Sequence, residues 1–339
     1  MKQMQRDWSE YRGVTLNDVA REAGVSQSAA SVILNGARSG TRVSSQKRRL
    51  VLEVAQRIGY RPNALARSLT TGRTNRIGLY STSQLDSKNL FFAELLSGVM
   101  AGAAEERLNT MIHTSGWDEA SLLDLVSNRA LDGLVIHGSQ NDPIIPLLSD
   151  LRVPAVAVVD RIIELPSVIV DDAAGGELQA RHLASLGHRH VLLKGSPHPC
   201  WSADARIQSF IDCAEGVGIR CSYQKRDQQG EEALTASDMK ILTEGADRAT
   251  ALIAWNDSTA YRACEQLISL GLSIPDQVAV MGFDGFTQLS PPRMTLSVIR
   301  APWSAVGKAA VNLLHQLIAG QPVSGVTVIP VEFIRGDTT

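Results

Sequence analysis

From Ile77 onward, short apolar runs alternate with stretches of helical period, and that alternation restricts the larger part of the chain to one kind of architecture. Ile77 to Tyr80, Met111 to His113, Leu134 to His137, Ala155 to Val159, Val191 to Lys194, Ala251 to Trp255 and Val278 to Gly282 read as strands. Phe91 to Leu108, Gly175 to Leu186, Asp204 to Glu215, Ser258 to Leu270 and Trp303 to Ala319 read as helices between them, and Val326 to Ile334 reads as a last strand. Strands this uniformly apolar are buried on both faces, which requires parallel sheets covered by helices on either side, a doubly wound α/β fold. With seven or more such units in the chain, two lobes are expected rather than one large sheet. Ligands in these folds bind beyond the carboxyl ends of the strands.

The first seventy-odd residues have a different character. The whole chain of 339 residues carries 33 Lys and Arg against 35 Asp and Glu, yet residues 1–76 hold 14 basic and 5 acidic side chains. That segment is therefore +9, and the remainder, with 19 basic and 30 acidic, is −11. A basic end of that density is the electrostatic footprint of a polyanion binder, because Lys and Arg displace the counterions condensed on phosphate.

Its helical pattern is legible. Thr15 and Asp18 form a capping-box start, Leu16, Val19 and Ala20 share one face, and the run stops at Gly24. Gly24, Val25 and Ser26 then lead into a second short helix, about Ser26 to Leu34, with Ser26 as its cap and Ala29, Ala30, Ile33 and Leu34 facing inward. This is helix-turn-helix spacing, in which a glycine at the turn adopts positive φ at no steric cost. A third helix begins near Ser44, with Leu50, Val51, Val54, Ala55 and Ile58 on its apolar side. Arg61 to Leu69 starts at Pro62 and has almost no apolar face, so it should be helical only against a partner. We expect an extension over residues 1–13, a helix-turn-helix domain over 14–61, a conditional hinge over 62–74, and a two-lobed domain over 75–339. The lobes are expected to comprise about 75–172 with 302–330, and 173–301 with 331–339.

Val14 to Ser26, the Leu34-Asn35-Gly36 end and Gly59 to Leu69 together resemble the lactose/galactose repressor (LacI/GalR) family. The resemblance implies an all-α DNA-binding head on a periplasmic-binding-protein-like effector domain. It implies a homodimer on a near-palindromic double-stranded operator, controlled by a small-molecule effector such as a sugar, a nucleoside or a related metabolite. By the same resemblance Gln27, Ser28 and Ala29 begin the helix that reads the major groove, and Leu69 is an apolar wedge at the central base step. Thr15, Leu16, Ser26, Ser31, Asn35, Asn63, Ala66 and Arg67 complete the implied DNA-contacting set. Two departures stand out: Val32 occupies a place where the family commonly has Arg, and the loop from Asn35 to Val43 is longer than usual. Val32 cannot hydrogen-bond a base, so a different half-site is expected.

The polar residues at the strand ends are the candidate ligand site: Asp160 and Arg161 after one strand, Asn256 and Asp257 after another, Asp284 after a third, and Arg206 on a helix beyond the loop Gly195 to Ser202. Asp171 and Asp257 read as helix caps or surface pairs. The resemblance puts Asp160, Arg206, Asn256 and Asp284 on effector-contact positions and makes Phe91 and Phe92 an aromatic pair able to stack on a ring. Arg161, Trp201 and Ser202 are secondary candidates. The segment Ser81 to Leu90 departs from the common family pattern by lacking Pro.

Other classes of function fit less well. Cys200, Cys213, Cys221 and Cys264 form no close pair, so buried thiols are expected in place of a zinc site, and no cofactor or metal is implied. His188-Arg189-His190 reads as a structural helix-to-strand junction. No phosphate-binding or nucleophile-elbow motif occurs, and an enzyme acting through Asp160 and Asp284 is the weaker alternative. A transporter's solute receptor would share the two lobes, but the basic head argues against it. Met1 to Arg12 contains no apolar run of signal-peptide type, so a cytoplasmic location is expected. The last strand is followed by no heptad tail, which favours a dimer over a tail-built tetramer.

Overall fold

The computed structural model describes residues 13–35, 43–61, 68, 72–81, 89–114, 124–125, 128, 130–224, 234–286, 294–323 and 325–339. They form two compact units, residues 1–76 with 129–132, and 77–128 with 133–339.

The smaller unit holds α1 (Leu16–Glu22), α2 (Gln27–Asn35) and α3 (Ser45–Arg57). The expected capping box is present: the Asp18 N–H donates to Thr15 Oγ1 at 3.3 Å, while the Thr15 N–H and hydroxyl donate to the Asp18 carboxylate at 3.0 and 2.7 Å. Gly24 turns the chain at φ +62°, and Val25 N–H closes the turn on Ala20 O. Val19, Ala20, Ala23, Ala30, Ile33, Val51, Val54 and Ala55 make the core. Small residues at the α1–α2 contact permit the close crossing that a helix-turn-helix needs. Leu50, expected inside, is 45% exposed, because it precedes Val51 by one residue and so lies about 100° around the helix from it.

Just ahead of β1 the chain is tied down by Asp132. Its carboxylate accepts the Thr74 N–H (2.7 Å), the Thr74 hydroxyl (2.9 Å) and the Asn75 N–H (2.8 Å).

The larger unit contains two six-stranded sheets. One has the order β11-β5-β4-β3-β1-β2, built from β1 (Arg76–Ser81), β2 (Asn109–Thr114), β3 (Gly133–His137), β4 (Ala155–Val158), β5 (Ser167–Val170) and β11 (Val326–Ile329). The other has the order β12-β10-β9-β8-β6-β7, from β6 (His190–Lys194), β7 (Arg220–Gln224), β8 (Ala251–Ala254), β9 (Ala279–Asp284), β10 (Ser297–Arg300) and β12 (Glu332–Ile334). β12 runs antiparallel to β10, whereas β3–β4 and β8–β9 are among the parallel pairs. The chain therefore passes between the sheets three times, after β5, after β10 and between β11 and β12. The single strand expected over Val326 to Ile334 is two strands in different sheets, broken at Pro330, which has no N–H to offer a ladder.

Around the sheets lie α4 (Leu90–Glu105), α5 (Ile144–Leu151), α6 (Asp172–Ser185), α7 (Trp201–Gly216), α8 (Ala236–Thr243), α9 (Asp257–Ser269) and α10 (Trp303–Ile318). Glycines set two helix crossings. A Cβ on Gly98 of α4 would lie 2.0 Å from Ser304 O on α10, and one on Gly176 of α6 would lie 2.4 Å from Arg206 O on α7. Gly175 similarly leaves room for the Phe283 ring, 2.6 Å from where its Cβ would be. These crossings hold α7 and α10 against the strand ends where the polar residues converge.

Because the Gly98 contact is with backbone, Gly98→Ala must push two helices apart. A loss of about 1–3 kcal/mol in denaturant unfolding is expected, and an unchanged midpoint would show that the crossing has slack.

Candidate functional site

In the head, Ser26 caps α2, accepting the Ala29 N–H at 3.2 Å, and its hydroxyl lies 3.0 Å from that of Ser28. Gln27 and Ser28 are exposed at the first turn of α2, where free N–H groups and short side chains can meet a base edge or phosphate. Ala29 and Ser31 are half-buried. Thr15 is exposed but its hydroxyl is engaged by Asp18, and Leu16 packs on the head's core, so both are first of all structural. Asn35 ends α2. Asn63, Ala66, Arg67 and Leu69 lie outside the described residues.

In the larger unit the strand-end residues meet around one guanidinium. Arg206 is 4% exposed; its Nε donates to Asp172 Oδ1 at 2.6 Å and its Nη1 to Trp255 O at 2.8 Å. Its Cζ sits 3.6 Å from the centre of the Phe283 ring and 6.0 Å from that of Trp303. Arg is suited to this place because its planar, permanently charged group can be both stacked and hydrogen-bonded. Asp284, also buried, accepts the Trp303 indole N–H at 3.1 Å, joining the end of β9 in one sheet to the start of α10, which packs against the other.

Asp160, after β4, reaches across to the other lobe. Its carboxylate accepts the N–H groups of Trp201 (3.3 Å) and Ser202 (3.1 Å), with the Cys200 thiol at 3.4 Å. Cys200, the residue in the cap position of α7, makes no side-chain cap bond of its own, so Asp160 serves in that role from a distance of 40 residues. A carboxylate is favoured there by the unpaired N–H groups and by the helix dipole.

Charge is crowded in this cluster. Burial pushes the Asp172 carboxyl up to about 6 against the opposing pull of Arg206. Burial likewise raises Asp284, with Arg206 again opposing, and raises Asp257, which the neighbouring Asp284 pushes further. Burial lowers His137, whose Nδ1 lies 2.9 Å from the Ser81 hydroxyl. Burial also holds the Cys200 thiol up at about 11, so it is not a reactive thiolate.

Several expected contacts are reassigned. Phe92 is fully buried among Leu79, Leu95 and Val99, whereas Phe91, one residue and about 100° earlier, lies 5.3 Å from the His137 ring and edge-on to Trp303 at 4.9 Å. Phe91 is half-buried, whereas Phe92 has no exposed surface. Asn256 is the cap of α9, accepting the Thr259 N–H at 2.8 Å, and its amide nitrogen is the part left for another partner. Asp257, expected to cap, instead takes the N–H groups of Gly285 and Phe286 at 2.8 and 2.7 Å. Asp171 caps α6 as read, through the Ala174 N–H. The Ser202 hydroxyl is buried beside Cys200, and Arg161 is exposed outside the buried cluster. His188 and His190 bind Thr250 Oγ1, Asp247 O and Ser222 Oγ, a strand-edge network. Sequence reasoning missed Asp172, His137, Phe283 and Trp303. A Trp directly after Ala301-Pro302 was a signal for the last, once β10 is recognised ahead of it.

Among the described residues no group of three metal-ligating side chains occurs, and no helix is long and apolar enough to cross a membrane.

A basic helix-turn-helix head together with a two-lobed domain that holds a buried polar cluster defines a class, the DNA-binding regulators that carry a small-molecule sensor. Residues 15–63 match the bacterial regulatory proteins of the lacI family, and residues 180–339 match the periplasmic binding protein-like domain. The chain is 26% identical over 319 residues to catabolite control protein A of Priestia megaterium, covering 91% of this chain and 94% of that one. It is 29% identical over 314 residues to the ribose operon repressor of Haemophilus influenzae, covering 90% and 92%. In fold it is similar to the Lac repressor dimer bound to operator and the anti-inducer ONPF, with a TM-score of 0.76 and 23% identity over 96% of this chain and 99% of that one. The CelR–cellobiose complex matches with a TM-score of 0.66 and 22% identity over 96% and 100%. The chain thus carries the DNA-binding domain of the lacI family followed by a periplasmic binding protein-like domain, and its relatives are named as regulators of that family.

The electrostatics of the cleft carry a sign. A carboxyl whose folded pKa is raised stabilises the fold at low pH and loses that contribution as pH rises through the folded value, here about 6 for Asp172. Arg206→Leu removes the cation that opposes the rise, so its cost is greatest above the titration. We expect a loss of about 3–5 kcal/mol near pH 8 and a clearly smaller one near pH 5. Equal losses at both pH values, in thermal melts, would show that the carboxyls do not depend on the guanidinium.

Proposed function

We infer that the protein is a sequence-specific transcription regulator of repressor type. It binds a near-palindromic operator as a homodimer, with its affinity controlled by a small molecule in the cleft between the lobes. The observation that carries this reading is the coexistence, in one chain, of a basic head with Gln27 and Ser28 exposed at a helix start and a separate unit whose buried polar cluster joins two lobes. Relatives named for repression of a ribose operon, and a structural neighbour holding cellobiose, favour a sugar-like effector. Effector binding that alters the angle between lobes would change the spacing of two hinge segments, residues 62–74 in each subunit, and so their ability to fold on the minor groove.

An enzymatic reading has little support. Asp160 and Asp284, the carboxylates that would act on a sugar, are taken up by the start of α7 and by the Trp303 indole.

A dimer is favoured by α4. Leu90, Ala93, Ser97, Met100, Ala101 and Ala104 are exposed on its outer face and none is charged. Met100→Asp should shift sedimentation toward monomer and weaken operator binding along with it. A fully dimeric variant would place the subunit contact elsewhere.

For the head, selection of bound sequences from random DNA should return a two-fold motif. Leu69→Ala should then bind that motif roughly ten- to a hundredfold more weakly, as expected from losing a wedge worth a few kcal/mol, with non-specific binding nearly unchanged. A variant that bound its operator as well as the parent would remove Leu69 from the interface.

A further inference from the structure

We propose that Asp132 is a positioning residue for operator binding: its carboxylate holds the end of the hinge segment, so that the hinge folds on DNA from a fixed end. The proposal deepens the regulator reading and rests on it.

Within residues 62–74, Ser68 and 72–74 are among the described residues. Gly72 donates its N–H to Ser68 O at 2.8 Å and has φ +71°, the bond and the left-handed glycine that close a helix. Two residues further on, the Asp132 clamp begins. Its Oδ1 accepts the N–H and the hydroxyl of Thr74, at 2.7 and 2.9 Å, and its Oδ2 accepts the Asn75 N–H at 2.8 Å. Two Cα steps leave at most about 7 Å of slack between the glycine and the clamp.

The clamp is itself fixed. The Asp132 N–H donates to Arg76 O at 2.7 Å, and the residues that follow each of them, Gly133 and Ile77, are the first paired rung of β3 and β1. Thr74 Oγ1 also accepts the Arg76 N–H at 3.2 Å. Asn75 stands at φ +53°, a left-handed conformation that disfavours most residues with a side chain and that Asn tolerates best. Such a conformation persists where its surroundings over-determine it. Because Thr74 and Asn75 precede β1, the bonds to them add nothing to the sheet ladder. Their effect falls on the segment before them.

Ordering the backbone of one residue shifts an equilibrium by a factor of roughly five to thirty. A hinge that folds on the minor groove is spared that factor at Thr74 and Asn75 as long as Asp132 holds them. Charge alone gives the opposite sign. Deleting a carboxylate from the chain end that carries Arg73 and Arg76 would strengthen its attraction to phosphate, so weaker operator binding by such a variant isolates the positioning role.

The test uses full-length protein, the motif it selects from random DNA, and unrelated DNA of equal length. Asp132→Ala should bind the motif about tenfold more weakly than the parent, with no loss on unrelated DNA. Asp132→Asn makes the same change of charge but keeps one acceptor oxygen, and it should lose less. Thr74→Val removes only the hydroxyl; it should also lose affinity for the motif alone, and it decides the matter if the Asp132 variants do not fold. Hydrogen exchange without DNA should show the Thr74 and Asn75 amides protected in the parent and unprotected in Asp132→Ala. The proposal is overturned by a folded Asp132→Ala that binds the motif as tightly as the parent, by an equal loss on both DNAs, or by free exchange of those amides in the parent. A parent that prefers no sequence sinks the regulator reading and takes this proposal with it, whereas failure of the variants alone leaves that reading standing.

Discussion

The cleft is organised by one buried cation. Arg206 takes carboxylate, carbonyl and ring contacts from Asp172 on α6, Trp255 after β8 and Phe283 on β9, three elements distant in sequence. Without it, Asp172 would be an uncompensated buried charge, and Asp284 and Asp257 would lose the group that opposes their protonation. A buried pair of this kind is weak as a source of stability, because the desolvation cost rivals the attraction, but breaking it is expensive. Its value is geometric: it fixes the start of α6 and the face of α7 at the same point. Gly175 and Gly176 make that approach sterically allowed, one beside the Phe283 ring and the other beside the Arg206 backbone. The cation and the glycines are therefore a single device, in which backbone closeness permits the contact and charge pairing enforces it.

Much of this was legible in the sequence because it is local. The capping box of Thr15 and Asp18, the positive-φ turn at Gly24 and the caps at Ser44 and Asp171 follow from residue type and spacing over three or four positions. The strands read correctly were those buried on both faces, such as Ala155–Val158 and Ala251–Ala254, where no alternation competes with the apolar signal. Elements with polar residues or little length for a helix were not read: β5 and β10 each open on Ser, β7 is Arg-Cys-Ser-Tyr-Gln, and α5 and α8 have eight residues each. Within the site, residue type identified Asp160, Arg206 and Asp284, but not their partners. Asp172 and Arg206 are 34 residues apart, and Trp303 and Asp284 meet only because α10 packs on one sheet while β9 lies in the other. Pairings of that kind are decided by topology, which periodicity does not report.

The exchanged roles of Asn256 and Asp257 illustrate the same limit. Both types are good helix caps, and sequence alone has no means to choose between adjacent candidates. The choice is made by the loop after β9, whose Gly285 and Phe286 N–H groups find their acceptor in the Asp257 carboxyl. Asn256 is then left to cap α9.

A sensor is useful only if the state of its cleft can be felt where the head is attached, and β3 offers a short physical route. At its start Asp132 grips the backbone of Thr74 and Asn75, at the end of the hinge segment and just ahead of β1. At its end His137 packs against Phe91, which in turn meets Trp303, the partner of Asp284. The five residues of β3 span about 16 Å at the usual rise, and the strand is held between β1 and β4 in the middle of its sheet. A strand so placed moves with its lobe as a rigid rod. A change in the angle between the two lobes need not unfold such a strand. What has to change is the set of contacts that cross between lobes, Trp303 with Asp284 and Asp160 with the start of α7. The coupling free energy is bounded by how differently a ligand bonds to those groups in the two arrangements. Both crossing contacts end on carboxylates, so a shift between the lobes must break or lengthen a hydrogen bond to one of them.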